Sequence, residues 1–297
     1  MFYKLFEYSI ERDDVLIEPD RHLRMFHSAK GHDENGHLAI YRGQQNAVLM
    51  HVRAHRELFT GLIGKHSTER EITKYDDDSD VTRNSLERDD NYPHTPFICI
   101  PKIKMIACVD SSLISAQAAM ARLHAILAHR ARAFFVVRPV RQVDDLRFAA
   151  RNFRLTEVDY EILPVNPHTK DLGRQLDESR MRDHIQRLKG KAIGSEARPL
   201  RLGGGFLSSV QELQESGHSR VGYTGVTGDG IEIKVPKPKE ARELPRARPE
   251  DQPTEETPAV RVRFKGEPVV YPFSRDHLER VVTVMRIFSR TIRRQSE

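Results

Sequence analysis

The chain has 297 residues, a formal net charge of +5, 38% hydrophobic and 31% charged side chains, which supplies one or two cores beneath a heavily ionic surface. No apolar run reaches the roughly 20 residues that span a bilayer, and the opening MFYKLFEYSIERDD alternates too strictly for a signal peptide, so a cytoplasmic protein is expected. Two cysteines, Cys99 and Cys108, exclude a disulfide framework and a zinc site built on cysteine alone.

In chain order, Phe2, Tyr3, Leu5, Phe6, Tyr8 and Ile10 are β-formers on both faces of a short run and predict a first strand. Polar, His-rich sequence follows to Gly36. His37–Tyr41 and Asn46–Val52 read as strands about an Arg42-Gly43 turn, and His55–Ile63 as a short helix. Thr68–Asn91 has almost no apolar residues and predicts a mobile surface loop. Phe97–Ile100 and Met105–Val109 predict a hairpin about Pro101-Lys102. Ser111 or Ser112 can cap a helix over Leu113–Ala131, whose apolar stripe is Leu113, Ala116, Met120, Leu123, Ile126 and Leu127. Phe134–Val137 reads as a buried strand, Val143–Arg151 as a short helix and Val158–Val165 as another strand.

Past Pro164-Val165-Asn166-Pro167 the character changes. Residues 168–200 are polar, Gly203-Gly204-Gly205 breaks the chain, Leu207–Glu215 can form a helix, and Val221–Thr224 and Gly230–Val235 read as strands. Pro236–Pro258 holds six prolines and eleven charges but almost no large apolar side chain, too little burial to offset its ordering entropy. Val260–Phe264 and Pro268–Phe273 predict a hairpin about Lys265-Gly266. From Asp276 to Arg294, Leu278, Val281, Val282, Met285, Phe288 and Ile292 line one face of a helix that must dock. This order predicts an α+β protein. A mixed or antiparallel sheet domain with helices on one face covers residues 1–166 and is completed by the C-terminal helix at 274–297. A smaller, mobile β-rich domain covers 167–273 and contains the Pro-rich charged linker 236–258.

The charge is unevenly placed. Ala259–Glu297 has nine basic and four acidic side chains, a net of +5, so residues 1–258 sum to zero. Asp110–Arg154 carries eight arginines against three acids, and Asp76–Asp90 seven acids against two arginines. Such asymmetry bears on partners and not on fold. In a strand, Arg261, Arg263 and Lys265 share one face about 6 to 7 Å apart, a row suited to phosphates along a nucleic-acid strand. The same row also fits a solvated hairpin face. Lys234, Lys237 and Lys239 join it if the Gly230–Val235 strand pairs beside the hairpin, and Arg286, Arg290, Arg293 and Arg294 add a basic helix face. No zinc finger, helix-turn-helix or aromatic RNA-binding motif accompanies them, so no sequence-specific readout is expected.

Other clusters carry less. His22, His27, His32 and His37 recur every five residues, an interval that fits neither one helix face nor a ligand motif. His51 and His55 have zincin spacing without the glutamate that would act as general base. Gly203–Gly205 lacks the Lys-Ser/Thr of a phosphate loop, and the acidic run at Asp76–Asp80 lacks the glycine and distal glutamate of a calcium loop. Cys99 and Cys108 sit symmetrically about a turn and read as buried free thiols. No catalytic residue, metal ligand or cofactor is assigned.

Four stretches carry a family resemblance. They are the early strands leading to Glu57-Leu58-Phe59, the acidic loop feeding Pro96-Phe97-Ile98-Cys99-Ile100, the Tyr160-Glu161-Ile162-Leu163-Pro164 strand, and Ile231-Glu232-Ile233-Lys234 running through Pro236-Lys237-Pro238-Lys239 to Val260–Lys265. Together they resemble the RexA-like phage-exclusion proteins of temperate phages. The resemblance implies a homodimeric clamp on double-stranded DNA, without sequence preference, that serves phage exclusion by abortive infection. A membrane or regulatory protein of the exclusion system is a further implied partner. Arg263 and Lys265 match basic positions of that family's DNA-contacting hairpin, although the stretch at 236–258 is longer than the family pattern. The alternatives are a metal-dependent nuclease or toxin effector of an antiphage defence system, using His and acidic residues of the first 95 positions, and an adaptor whose basic helix meets an acidic partner or an anionic membrane.

Overall fold

The computed structural model describes residues 2–30, 47–65, 70–76, 81–87, 93–140, 146–162, 188–203, 205–237, 260–264 and 269–296, with 70–76, 81–87 and 291–296 by backbone alone. The α+β class is as expected: antiparallel strands dominate and five helices accompany them among the described residues. The chain divides into two compact units, residues 6–138 and residues 1–5 with 139–297.

In the 6–138 unit, β1 (Phe2–Arg12, residues 6–12 here), β8 (Met105–Asp110), β7 (His94–Ile100), β4 (Phe59–Lys65) and β3 (Ala47–Ala54) are hydrogen-bonded in that order. Period-two alternation turns Phe6, Tyr8 and Ile10 of β1 into the core and leaves Glu7, Ser9 and Glu11 half-buried. Helices α1 (Pro19–Ala29) and α2 (Ala116–Ala131) share that core, where Phe26 meets the rings of Phe59, Phe97 and Phe135. Full burial of each such side chain contributes about 1.5–3 kcal/mol. The β7–β8 hairpin turns at Pro101 as expected. The α2 stripe also holds at Ala116, Met120, Leu123, Ile126 and Leu127, but Leu113 lies before the helix and is exposed. The cap is Ser115, whose hydroxyl accepts from the Ala118 amide, and not Ser111 or Ser112.

Two expectations in this unit are corrected. Residues 59–65 are strand and not helix, because Gly61 packs against Phe97, where a Cβ would stand 2.7 Å from the ring. The acidic segment contains β5 (Arg70–Asp76) paired with β6 (Val81–Glu87). Pairing satisfies the backbone groups that the two strands turn toward each other, and this ladder forms without a run of apolar residues. The strand expected at His37–Tyr41 lies outside the described residues. Val15–Leu16 (β2) pairs with the end of β1, and Phe134–Pro139 (β9) also pairs with β1; Phe134 itself is exposed and not buried.

The other unit has the strand order β11 (Leu188–Ile193), β10 (Arg154–Ile162), β12 (Ser219–Val226), β13 (Ile231–Val235), β14 (Arg261–Phe264) and the first residues of β1. Its helices are α3 (Leu146–Asn152), α4 (Phe206–Glu215) and α5 (Arg275–Ser296). One sheet face is apolar: Tyr3, Val158, Val221, Tyr223, Ile231, Ile233, Val235, Val262 and Phe264 are buried. Against it α5 buries His277, Leu278, Val281, Val284, Met285 and Phe288. The His277 ring stacks beside Phe273 and Phe264 and its Nε2 lies 2.7 Å from the Tyr3 hydroxyl, while Phe288 stacks on Phe153 and meets Phe148.

The expected boundary at residue 166 falls inside this unit. β10 lies between β11 and β12, so the strand expected to close the first domain is internal to the second. The expected hairpin across Lys265-Gly266 is also corrected. Both edges of β14 are taken, by β13 and by β1, so residues 269–274 run without strand pairing into α5. Most of 236–258 lies outside the described residues.

Candidate nucleic-acid interface

The β13–β14 register builds the site. Ile231, Ile233 and Val235 alternate with Glu232 and Lys234, and Val262 and Phe264 alternate with Arg261 and Arg263, so the polar set projects from the face opposite α5. Antiparallel pairing sets Lys234 beside Arg261 and Glu232 beside Arg263. Thr224 of β12 continues the first row on one side, and Lys4 of β1 on the other. Lys234 and Arg263 are exposed, Arg261, Glu232 and Phe2 are half-buried, and Lys4 is buried. The Arg263 guanidinium stands 5.4 Å from the centre of the Phe2 ring, a cation–π contact. Like charges directly opposite across a strand pair repel, and an anion laid over Lys234 and Arg261 relieves that repulsion.

Lys237 is placed differently. The chain leaving β13 crosses Gly222 so closely that a Cβ there would stand 2.5 Å from the Lys237 amide nitrogen and 3.0 Å from its Cα. That passage needs glycine. It brings the Lys237 Nζ to 3.0 Å from Asp159 Oδ1 and 4.0 Å from Glu161 Oε2. Lys189 lies 3.4 Å from Glu161, and Lys191 donates to Glu157 at 3.0 Å. The Glu157 bond and its charge hold the Lys191 ammonium above the ordinary lysine value. Three carboxylates of β10 thus face three lysines, and Lys237 is engaged among them instead of extending the cationic row.

Arg286 and Arg290 do not join this row. Arg286 and Arg290 are exposed on α5, which packs on the apolar sheet face, so they lie on the opposite side of the sheet from Lys234, Arg261 and Arg263. Arg280 covers the Phe264 ring at 5.0 Å and donates to the Asp229 carbonyl. Arg293 and Arg294 fall in the last helical turns, where only the backbone is described, and Lys239 and Lys265 lie outside the described residues. Sequence reasoning missed Phe2 and Glu232 as members of the face. The period-two pattern of Phe2-Tyr3-Lys4 and Glu232-Ile233-Lys234 carries the signal for both.

The thiols are inert parts of the 6–138 core. Cys99 Sγ donates to the Tyr8 oxygen at 3.1 Å, the Tyr8 hydroxyl reaches His22 Nδ1 at 2.9 Å, and His22 Nε2 reaches the Ile17 carbonyl at 2.9 Å. With Nε2–H donating, Nδ1 accepts from Tyr8, which leaves the Tyr8 oxygen for the thiol. Burial pushes the Cys99 thiol and the Tyr8 phenol up and His22 down, so all three groups are neutral. Cys108 is opposite Phe97 and Cys99 opposite Ile106, so the two cysteines are diagonal and not directly paired. Among the described residues no three His, Cys, Asp or Glu side chains stand together to hold a metal, and no helix is long and apolar enough to cross a membrane. His32, His37 and Asp77–Asp80 lie outside the described residues.

No family model, curated protein or solved structure matches the chain.

Proposed function

We propose that this protein binds double-stranded DNA without reading its sequence, as one copy of a homodimeric clamp, and acts in phage exclusion by abortive infection. The observation that supports binding is the β13–β14 register, which sets Lys234 beside Arg261 with Arg263 two residues on along the same face. Cations held at strand spacing on a rigid sheet meet phosphates and carry no base information. The dimer and the exclusion setting rest on the resemblance to RexA-like proteins. Purified protein incubated with plasmid, with and without magnesium or manganese, tests this against the nuclease alternative. A binder retards the plasmid and leaves it intact in both cases, and the combined variant Lys234→Ala, Arg261→Ala, Arg263→Ala does not retard it. Metal-dependent cleavage, or retardation unchanged in the folded triple variant, overturns the proposal.

A further inference from the structure

We propose that the same sheet face prefers an unpaired nucleic-acid strand to a duplex, with a base stacked on the Phe2–Arg263 pair and the flanking phosphates on Lys234 and Arg261. This rests on the nucleic-acid function proposed above and names the form of ligand that the face fits best.

Three observations carry it. First, β13 and β14 are interior strands, flanked by β12 and β1. Their cations rise from a broad sheet face. A B-DNA groove about 12 Å wide admits a helix or a two-stranded ribbon, and this face is neither. Second, an aromatic ring belongs to the face. Phe2 is half-buried and not sealed, and the Arg263 guanidinium lies over it at 5.4 Å. Ring and guanidinium planes are the surfaces on which unpaired bases stack, whereas bases in a duplex present only edges in the grooves. Third, the free cationic footprint among the described residues is narrow. Lys237 is held by Asp159, Lys189 and Lys191 pair with the β10 carboxylates Glu161 and Glu157, and Glu232 stands beside Arg263. A single short row of cations matches one backbone, not the two that border a groove.

The test is fluorescence anisotropy with the full chain, a labelled mixed-sequence 12-mer and its duplex at the same salt. The expected result is single-strand affinity on the order of tenfold above duplex affinity. A 2-aminopurine placed within the 12-mer is quenched on binding through stacking. Phe2→Leu lowers single-strand affinity by about tenfold and abolishes the quench, and Phe2→Tyr, which keeps the ring, restores both. Circular dichroism melts establish that each variant is folded. Duplex affinity equal to or above single-strand affinity, or a folded Phe2→Leu that binds single strands as the wild type does, overturns this inference and leaves duplex binding standing. Binding to neither ligand overturns both.

Discussion

Asp159→Asn should lower stability and raise nucleic-acid affinity, a pairing of effects that follows from where Lys237 is held. In the folded protein the Lys237 ammonium is 3.0 Å from Asp159, with side-chain exposures of 20% and 36%, and Glu161 stands at 4.0 Å as a second acceptor. A pair this accessible is partly screened, and Glu161 remains, so the expected loss is about 1 kcal/mol. The ammonium, released from Asp159 and left with only Glu161 at 4.0 Å, starts over β10, two strands from Lys234 and on the same face. It then offers one more phosphate contact, which steepens the slope of log affinity against log salt by about 0.9 on duplex DNA. Urea denaturation and anisotropy at four salt concentrations measure both quantities. Lys237→Ala is the control, since it forfeits the same ion pair without supplying a cation. A folded Asp159→Asn protein with weaker binding, or with an unchanged slope, refutes the reasoning.

Two further predictions concern the cores. Burial, opposed by the bond to the Ile17 carbonyl and with smaller effects from Lys104, Glu18 and Asp20, holds His22 below its ordinary value of 6.5. The folded state therefore takes up its proton at lower pH than the unfolded chain. Its contribution is complete above about pH 6.5 and shrinks as pH falls toward the folded value, so urea midpoints should drop from pH 7.5 to pH 5 and do so less in His22→Gln. Parallel pH profiles for the two proteins would contradict this. Phe288→Ala should cost about 3–5 kcal/mol, because the ring is fully buried against Phe148 and Phe153 and anchors α5. A loss under 1 kcal/mol in chemical denaturation would mean that α5 does not dock as described.

What was legible in the sequence was local. Alternation in Phe2–Ile10 and the helical stripe of α5 carried their elements, because period two and period 3.6 each bury one side. The α5 stripe differs from the sequence pattern at one position: Val284 is fully buried and Val282 only half-buried. The glycines of Phe59–Lys65 obscured a strand whose Gly61 exists to admit the Phe97 ring. Long-range pairing was not legible. β10 joins β12 across more than fifty residues, and this adjacency moved the domain boundary and brought Asp159 beneath Lys237. The same-face placement of Arg261 and Arg263 was readable from spacing alone. Whether Lys237 is free depended on Gly222 letting the chain cross β12, a fact that no spacing rule contains.

The central claim is that one face of the β13–β14 pair holds a nucleic-acid backbone. Its most direct test is the salt dependence of duplex binding for the wild type and for Lys234→Ala, Arg261→Ala, Arg263→Ala. Three lost phosphate contacts reduce the slope by about 2.7 and weaken binding alike on unrelated sequences. A folded triple variant that keeps the wild-type slope would contradict the claim.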